Sequence, residues 1–293
     1  MRLATVEGTA GSRLHVWARG GYVDLATGSG DESLATLAGF LAGGAAAREV
    51  AEALRAEAGA AVADSALGPA VPAPPRVFCL GLNYRAHAAE GGREAPSWPE
   101  IFVRSTSSLV GPFAPLVRPA LTDRFDFEGE LGVVIGRRAR YVHAADALAT
   151  VAGYVVVNDA TARDWQRAAS QWTPGKNFDG TMPVGPELVT ADEVDPGDLA
   201  ITTTVNGTVM QAARTSEMLV SVAEAIEFLS SFTTLLPGDL IATGTPAGVG
   251  FARTPPVWLE PGDVVEVTIE GVGTIRNVVA EERHGPTAWR WRP

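Results

Sequence analysis

Hydrophobic and polar positions alternate most cleanly in Phe125-Asp126-Phe127-Glu128-Gly129-Glu130-Leu131-Gly132-Val133-Val134-Ile135, where the odd positions are apolar or glycine. Side chains alternate faces along a strand, so this run predicts a strand with one greasy face and one face carrying Asp126, Glu128 and Glu130. The greasy face continues into Val133 and Ile135, which puts the segment in the core rather than at a frayed edge. A second strand signal, Gly153-Tyr154-Val155-Val156-Val157, runs straight into Asn158-Asp159.

Other patterns divide the chain. Short strand-like runs at Arg13–Trp17 and Gly21–Leu25 are followed by alanine-rich helical sequence at Leu34–Leu41 and Ala45–Ala58. The stretch Gly68-Pro69-Ala70-Val71-Pro72-Ala73-Pro74-Pro75 holds four prolines in eight residues and can be neither helix nor central strand. We therefore expect a small α+β region over 1–70 and a larger, strand-dominated region over 71–293. In the larger region, Ser221-Val222-Ala223-Glu224 has capping-box spacing ahead of an apolar helix face. Asn206-Gly207 suits the two positive φ angles of a type I′ hairpin turn. Another strand pair, Val265–Ile269 and Thr274–Val279, flanks Gly271. This is not strict βαβ alternation; the expected class is mixed α/β dominated by β.

Composition narrows the function. The 293 residues carry a formal charge of −11, from 23 basic and 34 acidic side chains, with no Lys/Arg cluster. That argues against nucleic acid or an anionic membrane surface as partner. No apolar run reaches membrane-spanning length, and the N-terminal residues lack a signal-peptide pattern, so a soluble cytoplasmic protein is expected. The single cysteine, Cys79, precludes an internal disulfide and sits in an apolar run as a buried, inert thiol.

Candidate chemistry centres on acids. Glu128 and Glu130 at i, i+2 on one strand, with Asp159 at the end of another, could place three oxygen donors around one hard divalent cation. Like charges stacked on a strand face repel unless something neutralises them. His87 and Glu90 fall at i, i+3 if residues 85–90 are helical, and a carboxylate beside an imidazole suits a general base. The stretch after them, through Pro96, is a loop able to cover a site. Lys176 reads by itself as a solvated loop lysine. Arg163 and Gln166, within a turn of Asp159, are anion and carbonyl binders. Thr243-Gly244-Thr245-Pro246 could offer a hydroxyl and backbone N–H groups to a carboxylate. Trp98, Trp165 and Trp172 are expected as core residues rather than as pocket walls. His15, His143 and His284 have no suggestive neighbours.

Taken together, the motifs resemble the fumarylacetoacetate hydrolase family over residues 76–280. The matching pieces are GLNYRAHAAE (81–90), FEGELGVVIG (127–136), GYVVVNDATARDWQ (153–166), GKNFDGTMPVGPELVT (175–190), VNG (205–207) and LPGDLIATGTPAGVG (236–250). The resemblance implies a mixed β-roll catalytic domain behind a small N-terminal domain, commonly as a homodimer. It places metal ligands on Glu128, Glu130 and Asp159, holding Mg²⁺ or Mn²⁺. It puts the His–Glu dyad on His87 and Glu90, the lysine near the metal on Lys176, and substrate contacts on Tyr84, Arg163, Gln166 and Thr245. Phe102-Val103-Arg104 stands where many members have Phe-x-Lys. The far end of a substrate would then be read by residues 84–100, by Arg104 and by the partner subunit. The expected reaction is hydrolytic cleavage of a carbon–carbon bond in an acylpyruvate. The alternatives are decarboxylation, tautomerisation or isomerisation of 2-oxo acids at the same metal site, or ligand binding without catalysis.

Overall fold

The computed structural model describes residues 1–9 and 11–283. The last ten positions of the 71–293 region, His284 among them, lie outside the described residues.

The fold is organised around the antiparallel pair Gly129–Ile135 and Val151–Asn158, in which every residue is buried. Burial on both faces is what the near-continuous apolar runs require. Leu131, Val133 and Ile135 enter one hydrophobic cluster, whereas Val134 enters another on the opposite face. The register sets Glu130 opposite Val157 and Gly129 opposite Asn158. The single strand expected over 125–135 is in fact interrupted. Phe125–Asp126 is a short strand of its own, paired with Thr161–Ala162. The cause is local: the Phe127 N–H donates to the Asp126 carboxylate, and the Glu128 N–H donates to the Asn158 side chain, so side chains replace ladder partners there.

The large sheet runs, edge to edge, Gly21–Asp24, Gly11–Ala18, Arg2–Gly8, Met182–Thr190, Val151–Asn158, Gly129–Ile135, Leu240–Ala242, Val77–Gly81 and Glu100–Arg104, with Leu109–Val110 beside Met182–Thr190. The N-terminal strands thus extend the sheet of the larger region, with Leu3 opposite Leu188. The proline-rich segment between the regions is irregular, as expected, yet it is packed down. Ala70 and Val71 are buried, and the Ala70 N–H donates to the Val184 carbonyl at 3.1 Å. The helix Leu37–Leu54 covers this end of the sheet, and it breaks at Gly44, whose φ of 55° separates the two predicted helical runs.

A second sheet orders Thr208–Arg214, Ala200–Val205, Val264–Ile269, Gly273–Glu281 and Leu116–Arg118. Asn206 and Gly207 take positive φ values of 50° and 77°, the hairpin turn that their sequence predicts. This sheet packs tightly against the first at Gly129, where a Cβ would lie 2.2 Å from Thr203 Oγ. Glycine at 129 is therefore a packing requirement on the same strand that carries Glu130. No helix among the described residues is long and apolar enough to cross a membrane.

The helix Val222–Phe232 closes the cluster beneath the sheet with Val222, Ala225, Ile226 and Leu229. Its N-terminus has the full capping box: Ser221 Oγ accepts from the Glu224 N–H, and the Glu224 carboxylate accepts from the Ser221 N–H. Ser221→Ala should cost about 1 kcal/mol, measured by urea unfolding. No change in the midpoint would mean that apolar packing alone holds this end.

Candidate metal-dependent active site

Sheet register explains why three acids meet. Glu128 and Glu130 project near the start of Gly129–Ile135, and the neighbouring antiparallel strand ends where Asp159 begins. The Asp159 N–H donates to the Glu128 carbonyl at 2.8 Å, locking the chain crossing. Glu128, Glu130 and Asp159 are all buried, and each offers an oxygen within 4.8 Å of the others.

Buried carboxylates need counter-charge. Lys176, expected as a solvated loop residue, is buried instead. Its Nζ lies 2.6 Å from Glu128 Oε2, 2.5 Å from Asp159 Oδ2 and 3.2 Å from the Asp159 carbonyl. All three ammonium protons are spent on the acid cluster, so Lys176 neutralises and orients rather than donating a proton outward. Arg163 bonds Asp126 through Nε at 2.8 Å and Glu128 through Nη1 at 2.6 Å. Arg104 ion-pairs with Asp159 and also donates to the Ala160 carbonyl, Thr181 and Ser108. This corrects the expectation that Arg104 reads the far end of a substrate. Every donor group of its guanidinium is committed beneath the site, where Asp159 is fully buried and needs counter-charge.

The cluster is not evenly neutralised. Burial raises the Glu128 carboxyl, but Lys176, Arg163 and His87 outweigh it and bring it down to about 2. Glu130 receives one hydrogen bond, from the Gly244 N–H at 2.8 Å, and no cation partner among the described residues. Burial, then the charges of Asp159 and Glu128, push its carboxyl well above the usual range.

Above the acids lies a cavity of about 260 Å³ whose walls include Glu128, Glu130, Lys176, His87 and Thr245. His87 and Glu90 sit on the short helix Arg85–Glu90, with His87 Nδ1 2.7 Å from Glu90 Oε1. The other Glu90 oxygen accepts the Gly248 N–H at 2.8 Å, which pins the dyad to the loop after Leu240–Ala242. An ionised Glu90 holds the proton of the ring on Nδ1 and leaves Nε2 as the basic nitrogen.

The remaining candidates divide. Gln166 lines the cavity and accepts from Arg163 Nη1 at 3.1 Å. Thr245 also lines it, but its hydroxyl donates to the Gly129 carbonyl and accepts from Gln211, so its proton is already used. Gly244 gives its N–H to Glu130, and Thr243 Oγ donates to the Leu131 carbonyl. Tyr84 is buried outside the cavity wall, its hydroxyl without a partner among the described residues. Cys79 is fully buried, and burial pushes its thiol well up. Two tryptophan expectations need correcting. Trp98 is 71% exposed, and Trp172 lines the cavity, stacked edge-on against Phe102 at 5.5 Å. Gly81 makes room for Trp172: a Cβ there would meet its ring at 2.2 Å. That glycine, at the end of the strand Val77–Gly81, was the available signal for an aromatic wall.

The family described as fumarylacetoacetate (FAA) hydrolase C-terminal matches residues 76–280. This chain belongs to the fumarylacetoacetate hydrolase family. It is 47% identical over 209 residues to the bovine mitochondrial oxaloacetate tautomerase FAHD2A, covering 70% of this chain and 67% of that one. A fumarylacetoacetate hydrolase from Exiguobacterium antarcticum superposes with a TM-score of 0.79 at 36% identity, covering 96% of this chain and all 100% of that one. A fumarylpyruvate hydrolase from Pseudomonas aeruginosa, solved with Mn²⁺ and pyruvate, gives 0.66 at 34% identity, covering 71% of this chain and 91% of that one.

The acid cluster of this family member fits a divalent cation. Its donors are all hard oxygens, and Glu130 is a buried carboxyl with no direct cation partner among the described residues. Two expectations follow. A cation must displace the proton that the raised Glu130 carboxyl retains, so affinity should climb as pH rises toward that group's titration and level off above it. Calorimetric titration with Mn²⁺ in two buffers of different ionisation enthalpy should find proton release on binding that grows as the pH is lowered; no release at any pH would remove Glu130 from the ligand set. Separately, Arg104→Met takes from Asp159 one of its two cation partners and leaves it Lys176. It should lower unfolding free energy in chelator by about 1–3 kcal/mol, and no measurable loss would show that Lys176 alone suffices for Asp159.

Proposed function

We propose that this chain interconverts the keto and enol forms of a 2-oxo acid at a divalent-metal centre. The observation that carries the reading is the shared cavity: the His87 ring, oriented by Glu90, and the acids Glu128 and Glu130 form walls of one space. Glu128, Glu130 and Asp159 would hold the cation, and when bound it would supply Lewis-acid polarisation of the 2-oxo group. His87 then takes a proton from carbon 3 through Nε2 and returns it to the oxygen. Glu90 stabilises the imidazolium formed in between. Lys176 contributes positive charge close to where negative charge develops, through the field of its buried ammonium rather than through a free N–H. Phe102 and Trp172 keep that side of the cavity apolar, which strengthens these interactions. Support comes also from the likeness to a protein named oxaloacetate tautomerase.

A second reading, hydrolysis of an acylpyruvate, uses the same base on a water molecule instead of on carbon 3. It is favoured by the likeness to a fumarylpyruvate hydrolase that was solved with Mn²⁺ and pyruvate. The two readings part at the product. Tautomerisation leaves mass unchanged, whereas hydrolysis gives pyruvate and a carboxylic acid.

The test follows the decay of oxaloacetate enol by ultraviolet absorbance, with Mg²⁺ or Mn²⁺ and then with chelator. Metal-dependent acceleration is expected, and His87→Ala should cost roughly 10²–10⁴-fold in turnover with metal binding retained. No acceleration of the enol, together with metal-dependent release of pyruvate from an acylpyruvate in proton NMR, would replace the first reading with the second.

A further inference from the structure

The peptide unit that gives Glu130 its hydrogen bond is itself gripped from the other side. The Gly244 N–H donates to Glu130 Oε2 at 2.8 Å, and the carbonyl of that same peptide, on Thr243, accepts from Asn83 Nδ2 at 2.7 Å. Asn83 is buried, and its side-chain amide meets two further backbone groups. Nδ2 donates to the Val220 carbonyl at 2.9 Å, and Oδ1 accepts the Val220 N–H at 2.8 Å. Two carbonyls and one N–H as partners are satisfied by only one orientation of the amide. The approach is close as well: a Cβ on Gly244 would lie 2.7 Å from Asn83 Cβ, and Gly244 takes a φ of 93°.

A peptide whose carbonyl is hydrogen-bonded is a stronger donor at its N–H, because hydrogen bonds in a chain polarise one another. Here the chain runs from the Asn83 amide through the 243–244 peptide to the Glu130 carboxylate, and every member is buried. Thr243 is fixed on its near side, since its N–H and its hydroxyl both donate to the Leu131 carbonyl, at 3.0 and 2.9 Å. The next unit ends in a glycine, which offers little resistance to rotation of the peptide. Asn83 opposes that rotation by binding the carbonyl end. Glu130 depends on the outcome more than the other two acids do. Glu128 and Asp159 are held by cations, whereas Glu130 has this N–H. Asn83 also stands two residues before the helix Arg85–Glu90, and its own carbonyl accepts the Leu219 N–H at 2.8 Å. One residue thus fixes a floor acid and the start of the dyad helix together.

We infer that Asn83 is a positioning residue of the metal site, acting on Glu130 through the 243–244 peptide. The inference rests on the reading of Glu128, Glu130 and Asp159 as cation ligands. The competing role is purely structural: an asparagine that ties the segment Leu219–Val220 to the end of the strand Val77–Gly81, which makes no demand on Glu130. Groups that orient a ligand without contacting the metal change metal affinity by roughly 10–100-fold when they are removed.

Mn²⁺ affinity at one fixed pH, read by calorimetry, separates the two roles without relying on turnover. Asn83→Ala and Asn83→Asp should each bind Mn²⁺ about tenfold more weakly or worse, at unchanged stoichiometry. The aspartate keeps the size of the side chain and the acceptor for the Val220 N–H. Its added negative charge would by itself favour a cation, so weaker binding there isolates the missing donor. Ser221→Ala disturbs the neighbouring segment from the helix cap and should leave Mn²⁺ affinity at the native value. The rise in thermal midpoint on adding Mn²⁺ should shrink in both Asn83 variants and stay the same in Ser221→Ala. Native affinity in the Asn83 variants, with only the metal-free midpoint lowered, overturns the inference and leaves the metal site standing. Equal weakening by Ser221→Ala overturns it too, because any loosening of the segment would then suffice. Should Asn83→Ala fail to fold, Asn83→Asp decides by the same comparison. If Mn²⁺ binding behaves as expected while oxaloacetate enol is not turned over, the proposed function falls and this inference stands. If the native chain binds no Mn²⁺, both fall.

Discussion

Four carboxylates, Asp126, Glu128, Glu130 and Asp159, are buried around one crossing of two strands, and the molecule must supply charge to keep them there. It supplies three cations, Lys176, Arg163 and Arg104, all buried themselves. Each cation comes from a different segment, so the need for neutrality ties together an edge strand, the turn after Asp159 and the short helix Thr173–Lys176. One negative charge is left over. That imbalance falls at Glu130, whose one hydrogen bond among the described residues comes from a backbone N–H, so the cluster stays open to a cation as a closed salt-bridge network would not. A fully compensated cluster would have had no reason to admit a metal.

The same balance separates residues that look equivalent in sequence. Asp126 belongs to the run of alternating acids, yet its carboxylate is consumed by Arg163 and by the N–H groups of Phe127, Gly250 and Phe251. It holds the loop that carries Phe251 instead of facing the cavity. Glu128 bridges the two roles: it is tied to Lys176 and Arg163 below and lines the cavity above. Because Arg163 holds both acids, a disturbance at Asp126 would reach Glu128 through one guanidinium.

Much of this was legible in the chain. Period-two alternation located Glu128 and Glu130, a strand running into a polar pair located Asp159, and the i, i+3 spacing located the dyad, since each is a local property of one element. Asn206-Gly207 and Ser221–Glu224 were legible for the same reason: turn and cap chemistry are written in adjacent residues. The fate of Lys176 and Arg104 was not. Whether a basic side chain is solvated or buried depends on which acids the fold sets beside it, and Arg104 lies 55 positions before Asp159. The break at 127–128 was hidden too, because side-chain acceptors from Asp126 and Asn158 displaced the ladder without altering the hydrophobic pattern. Trp172 was misjudged as core because tryptophan burial says nothing about whether the neighbouring space is filled by protein or left open beside a glycine.

Opposite charge is also divided in space with some care. The acids lie at the floor of the site and the unpaired arginines at its rim, with Arg163 joining the two layers. Phe251 lies between the two layers, with the Arg163 and Arg167 guanidinium carbons 4.6 and 4.3 Å from its ring centroid. Residue 163 has to be arginine for this arrangement, because only a forked side chain can hold Asp126 and Glu128 with two different nitrogens. Lysine at that position would preserve the charge, yet from one nitrogen it could not span both acids in the same way. The neutralisation of the core and the wall of the cavity are therefore carried by one side chain, which is why neither can be understood from the acids alone.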